Sequence, residues 1–180
     1  MSFDNDIKIA GNKPSGEIKK NKIVETVQED IVSHTDSLRA KKLGERVANK
    51  FCADNNDFSI ANEEFDSQMA LQRRILLSFT TSVALERFCK SEAIAGIAQK
   101  SFIDTVNKTS GVLDEASSDT GAFSFYYLAF RRGGDIERRI GQTFAMLCSH
   151  DGDPIYQELG EALYCWFLSV VKKSADRINI

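Results

Sequence analysis

Apolar side chains recur every three or four residues through most of this chain, and proline interrupts them only twice in 180 residues. A period near 3.6 lays such residues along one side of a helix, whereas a half-buried strand alternates them singly. Interior proline removes a ladder donor and clashes with the preceding turn, so its scarcity leaves long helices open. The pattern predicts an all-α chain: a bundle of about six or seven helices joined by short connections.

Residues 1–16 mix Asp, Asn, Lys and Gly and close on Lys13-Pro14-Ser15-Gly16, which reads as a flexible tail ending in a breaker. Residues 17–180 read as one helical domain, in which 17–53 either packs on the body or extends as a peripheral arm to another subunit. Ile23, Val27 and Ile31 make a first stripe, and Ala40, Leu43, Val47 and Phe51 a second. The turn-forming cluster Asp54-Asn55-Asn56-Asp57 is expected to stop the second. Phe65, Met69, Leu76, Phe79 and Val83 form the next line, widened by Leu71, Ile75, Leu85 and Phe88. An arc this broad needs neighbours on more than one side, so this helix is expected to be the central post.

Ile94, Ile97, Ala98, Phe102 and Val106 continue the spacing, which leaves open whether a break falls near Lys90-Ser91. Residues 111–121 read as a loop. Ala122 to Phe130 is almost continuously apolar and is assigned to a helix because no partner strand is visible elsewhere. Arg131-Arg132-Gly133-Gly134-Asp135 then has the order expected of a helix end, a left-handed cap and a new N-cap. Ile136, Ile140 and Phe144 mark the following helix, and Ser149-His150-Asp151-Gly152 breaks it. Asp153-Pro154 opens the last one, with Asp as N-cap and Pro in the first turn. Its broad apolar side is expected to hold Ile155, Leu159, Leu163, Trp166, Phe167, Val170 and Val171, with Lys172 and Lys173 complementing the C-terminal dipole. The helices at 65–88, 122–130 and 155–171 are expected to supply most of the core.

Net charge is −3, with no block of one sign, so no global field draws the chain to nucleic acid or an anionic membrane. Met-Ser-Phe-Asp-Asn-Asp lacks the basic and apolar regions of a secretory signal, and the longest apolar runs are about half a membrane span. The expectation is a cytoplasmic protein. Cys52, Cys89, Cys148 and Cys165 include no C-x-x-C pair and read as reduced thiols.

Chemistry finds little purchase. A di-iron bundle needs Glu-x-x-His pairs, but Ile31 and Leu147 stand three residues before the two histidines, His34 and His150. Cys148 and His150 lie roughly 200° apart on a continuing helix, with no paired cysteines to complete a zinc site. Neither Asp54 nor Asp151 begins a calcium loop, because Phe58 and Ile155 fall where the third oxygen ligand belongs. No nucleophile elbow, phosphate loop or dinucleotide-binding glycine pattern occurs. Neither metal nor cofactor is implied, and the chain leans away from being an enzyme.

Three basic features and one aromatic set remain. Arg131, Arg132, Gly134 and Arg138, with Arg139, could clasp a phosphate or carboxylate at a helix start, although Asp135 competes for the same N–H donors. Arg73 and Arg74 lie within the longest apolar helix and call for carboxylate partners on another helix or an acidic ligand. Arg39, Lys41, Lys42, Arg46 and Lys50 form a small basic face without aromatic interleaving, so nucleic acid is disfavoured and a solvated face preferred. Tyr126, Tyr127 and Trp166 suit core packing before a cofactor pocket. Broad apolar arcs favour self-association or another protein partner. The expectation is a non-catalytic interaction or oligomerisation module, with an anion-binding protein as the alternative.

Overall fold

The structure, a computed structural model, describes residues 32–61, 67–110 and 120–180. Among them are six helices and no strand: α1 (His34–Ala61), α2 (Ser67–Phe88), α3 (Glu92–Ser110), α4 (Thr120–Arg131), α5 (Ile136–Leu147) and α6 (Pro154–Ile178). The chain is an all-α bundle, as the spacing predicts. The Ile23–Val27–Ile31 stripe, Phe65, the 1–16 tail and most of the 111–121 loop lie outside the described residues.

The helix ends follow from local chemistry. Ser91 separates α2 from α3, its hydroxyl accepting from the Ile94 N–H at 3.4 Å, so a break does fall there. Asp135 caps α5 by accepting from the Arg138 N–H at 3.2 Å, and Asp153 caps α6 by accepting from the Ile155 N–H at 2.9 Å. Between α4 and α5, Gly133 and Gly134 take φ of 66° and 72°, values that a side chain would strain.

Two boundaries differ from expectation. Asp54-Asn55-Asn56-Asp57 does not stop α1, which runs on to Ala61. The Asp54 carboxylate is held by Arg73 of α2, a tertiary partner that takes it away from local backbone capping. Likewise α6 passes Lys172 and Lys173 and ends at Ile178 with Asn179 in the left-handed cap conformation. Lys172 therefore lies within the helix, paired with Asp176 at 2.8 Å, and Arg177 occupies the last turn. Buried Ser174 and Ala175 pack this extra length into the body.

The central post is α2, which packs against all five other helices. Ile75, Leu76, Leu77 and Phe79 are almost fully buried, and Phe79 sits among Phe123, Tyr126 and Phe130 at centroid distances of 5.4, 5.7 and 6.1 Å. The core extends further than the sequence assigned it. Ala40, Leu43, Val47 and Phe51 of α1 are fully covered, α3 is the main neighbour of this helix, and Phe51 meets the Phe102 ring edge-on at a centroid distance of 5.5 Å. Gly44 permits this approach, since a Cβ there would collide with the Ala98 carbonyl oxygen. Gly141 and Gly160 serve the α5–α6 contact in the same way, against the Gln157 backbone and the Phe144 side chain.

In α6 the buried side is Gly160, Tyr164, Phe167, Val171, Ser174 and Ala175. The expected single broad apolar side is thus two sides. Phe167 and Val171 face the bundle, whereas Ile155, Leu159 and Trp166 face outward. The small residues explain the rotation: Gly160 and Ser174 carry little hydrophobic signal, yet both are buried, and at Gly160 a Cβ would collide with the Phe144 side chain. Among the described residues no helix is long and apolar enough to cross a membrane.

Candidate functional site

Several of the residues singled out by the sequence gather at the surface. They meet in a groove of about 420 Å³ along α5 and its flanking turns, lined by Arg132, Arg138 and Arg139 together with Gln142, Thr143 and Met146. One helical turn separates Arg138 from Gln142 and Arg139 from Thr143, which sets these pairs on adjoining stripes of α5. At the double-glycine turn, a Cβ at Gly134 would stand 3.7 Å from the Arg139 guanidinium, an ordinary contact distance. The groove is not purely cationic. Asp135 and Asp151 share its wall, and the Asp135 carboxylate is engaged in capping α5.

The six predicted ligand-binding residues therefore separate. Arg132 and Arg138 line the groove, and Gly134 adjoins it. Arg131 turns to Tyr127, its guanidinium carbon 5.7 Å from the ring centroid. Arg73 and Arg74 belong to α2 and do not line the groove. Arg73 is nearly buried and pairs with Asp54, the carboxylate on another helix that an internal arginine requires. Ala129, Asp135, Arg139, Gln142, Thr143, Met146 and Asp151 complete the lining. The i, i+4 spacing of the α5 members was the available signal, while Asp151 arrives only through the α5–α6 turn.

That turn also settles the neighbours of the histidine. Cys148 is fully buried at the C-cap of α5, while His150 stacks on Tyr156 with ring centroids 3.8 Å apart and planes at 9°. Among the described residues no group of three His, Cys, Asp or Glu side chains is placed to hold a metal ion. On α1, Arg39 lies 3.6 Å from Asp36, and Lys41 shares a groove with Glu45 and Asp104 as well as Lys100 and Lys108. The basic face is interleaved with carboxylates.

Apolar side chains are exposed on two further helices. Outward from α4 stand Phe125, Tyr127 and Leu128, and outward from α6 stand Ile155, Leu159 and Trp166; Ile155 is 73% exposed and Leu128 54%. Beside Trp166 lies Cys165, also exposed. Partial burial pushes the Cys165 thiol up, and the Glu137 and Glu161 carboxylates push it further. Tyr164 is raised by burial against the opposing pull of Arg87, and Cys89 by burial alone. A raised thiol is mostly protonated near neutrality and a poor nucleophile. The outward faces of α4 and α6 offer apolar side chains for association.

Comparison of the chain with protein-family models, with curated proteins and with solved structures gives no match.

Proposed function

We propose that this protein is a non-catalytic association module, which works by burying helical surface against itself or another protein. One observation carries the reading: six large apolar side chains stand outward, three on α4 and three on α6, the latter at spacings of four and seven residues that set them along one helical stripe. Isolated exposed apolar residues are ordinary, but grouped ones favour a covering surface. A cytoplasmic setting fits, because no disulfide joins the four cysteines and two of them are buried as thiols.

Sedimentation across concentration, paired with affinity capture from the native cells, tests the reading. Wild type and the Phe125→Glu, Leu128→Glu and Trp166→Glu variants are compared at unchanged melting temperature. The expected result is an association, with itself or a defined partner, that at least one variant loses. A monomer that captures nothing the variants fail to capture removes the reading.

A second reading rests on the convergence of Arg132, Arg138 and Arg139 in one groove, which suits a phosphorylated or carboxylated small molecule. Thermal-shift screening with such compounds is expected to find stabilisation that Arg132→Ala and Arg138→Ala abolish. Equal stabilisation of wild type and variants counts against it.

A further inference from the structure

The geometry points to a specific occupant for the outer face of α6: a second copy of this chain, packed antiparallel about a two-fold axis near Cys165. The inference rests on the association reading and deepens it.

Ile155, Leu159, Ala162, Trp166, Ser169 and Lys173 follow one another at intervals of four, three, four, three and four residues. That is the seam spacing of two helices packed side by side. It runs opposite the side that Tyr164, Phe167 and Val171 already bury in the bundle, so the seam is available without disturbing the fold. At 1.5 Å per residue it is roughly 27 Å long, enough for six layers of contact.

Charge selects the partner and its direction. Beside the seam, Glu158, Cys165 and Lys172 repeat at seven-residue intervals, with opposite charges equidistant from the cysteine. In an antiparallel pair, a flank of this kind meets the same flank of the other helix. Glu158 then faces Lys172 of the second copy, twice by symmetry, and Cys165 faces Cys165. A parallel pair would instead set this flank against Leu163 and Val170 and leave both charges without an opposite. The surface is complementary to itself, as a two-fold interface must be.

Size agrees with charge. The same alignment places Trp166 against Ala162 of the second copy and Leu159 against Ser169, large beside small in each layer. Ile155 meets the aliphatic stem of Lys173, whose ammonium stays in water. On the opposite flank, half-buried Leu163 meets Leu163, and Tyr156 meets Val170. Lys172 is at present bonded to Asp176, but that pair is exposed, with side chains 56% and 62% accessible, and exchanging or sharing the partner costs little.

Sedimentation of the full chain, with a short bismaleimide to link exposed thiols, tests the proposal. Wild type is expected to dimerise and to cross-link through Cys165, and Cys165→Ser to lose the cross-link while remaining dimeric. Glu158→Lys turns both ion pairs repulsive and is expected to raise the dissociation constant about tenfold. Adding Lys172→Glu restores the pairing in the antiparallel alignment alone, with helix content followed by circular dichroism. Trp166→Glu is expected to yield monomer. A monomeric wild type, or a dimer indifferent to Trp166→Glu and Glu158→Lys, overturns the proposal. The dimer in that second outcome, formed through another surface such as α4, would leave the broader association reading standing.

Discussion

Arg73 reaches from α2 to Asp54 of α1 with its own side chain almost wholly out of water and its partner a quarter exposed. Removing the carboxylate takes one counter-ion from a desolvated guanidinium, which is more costly than losing a surface pair. Because Asp54 retains solvent, Asp54→Ala is expected to cost about 2 kcal/mol, below the range for fully buried pairs. Urea unfolding measures it, and a loss no greater than a few tenths would show that water replaces the carboxylate. The cysteine at the centre of the outer α6 face gives a second residue-level prediction. Burial, Glu137 and Glu161 all raise its pKa, so at neutral pH alkylation of Cys165 is slower than that of an unstructured thiol and accelerates at higher pH. Glu137→Gln removes one raising charge and is expected to speed alkylation at fixed pH; mass spectrometry reads the rate. At this scale the sequence was legible where chemistry is local. Asp135 and Asp153 cap the helices that their positions announced. The partner of Arg73 was legible in kind, a carboxylate on another helix. Its identity was not, because nineteen residues of chain separate the two.

Helices show where pattern reading succeeds and fails. Five apolar stripes within the described residues become helices, and Ala122 to Phe130 is helical despite a composition that also suits a strand. The error in α6 was one of facing. Large apolar residues on two sides of a helix look from sequence like one wide side. The bundle chose the side containing Gly160, where Phe144 lies against the helix axis. Close approach of two helices depends on what is missing from a side chain, and hydrophobic spacing records only what is present. The same contacts yield a prediction. Alanine at Gly44 or Gly141 gains up to about 1 kcal/mol of helix propensity, but its methyl collides with a backbone carbonyl of the facing helix. The collision is expected to win, for a net loss of about 2 kcal/mol at each position. Thermal melting with increased stability would show that the helices separate more easily than their packing implies.

For the whole molecule, α2 is the shared wall: α4, α5 and α6 lie against it, and so do α1 and α3, which are most closely joined to each other. Phe79→Ala hollows that wall among three aromatic neighbours and is expected to cost about 4 kcal/mol. Unfolding followed by Trp166 fluorescence and by helical circular dichroism is expected to give coincident transitions, since no helix lacks a contact to α2. Separated transitions would mean that the α1–α3 pair melts by itself. A broad apolar arc was sufficient to place α2 at the centre. The approach of Arg132 to Arg138 and Arg139 depends on the angle of the double-glycine turn, which no spacing rule supplies.

The glycines at 44, 141 and 160 bear on how this chain can vary. Each lies where two helix axes come together and any added methyl meets a neighbour. Natural drift at these sites will be close to frozen, while the arginines around the α5 groove remain free to vary unless a ligand restrains them. Invariance will then mark the distance between rods, and a pattern of unchanging positions resembling a reaction centre will instead trace the joints of the frame.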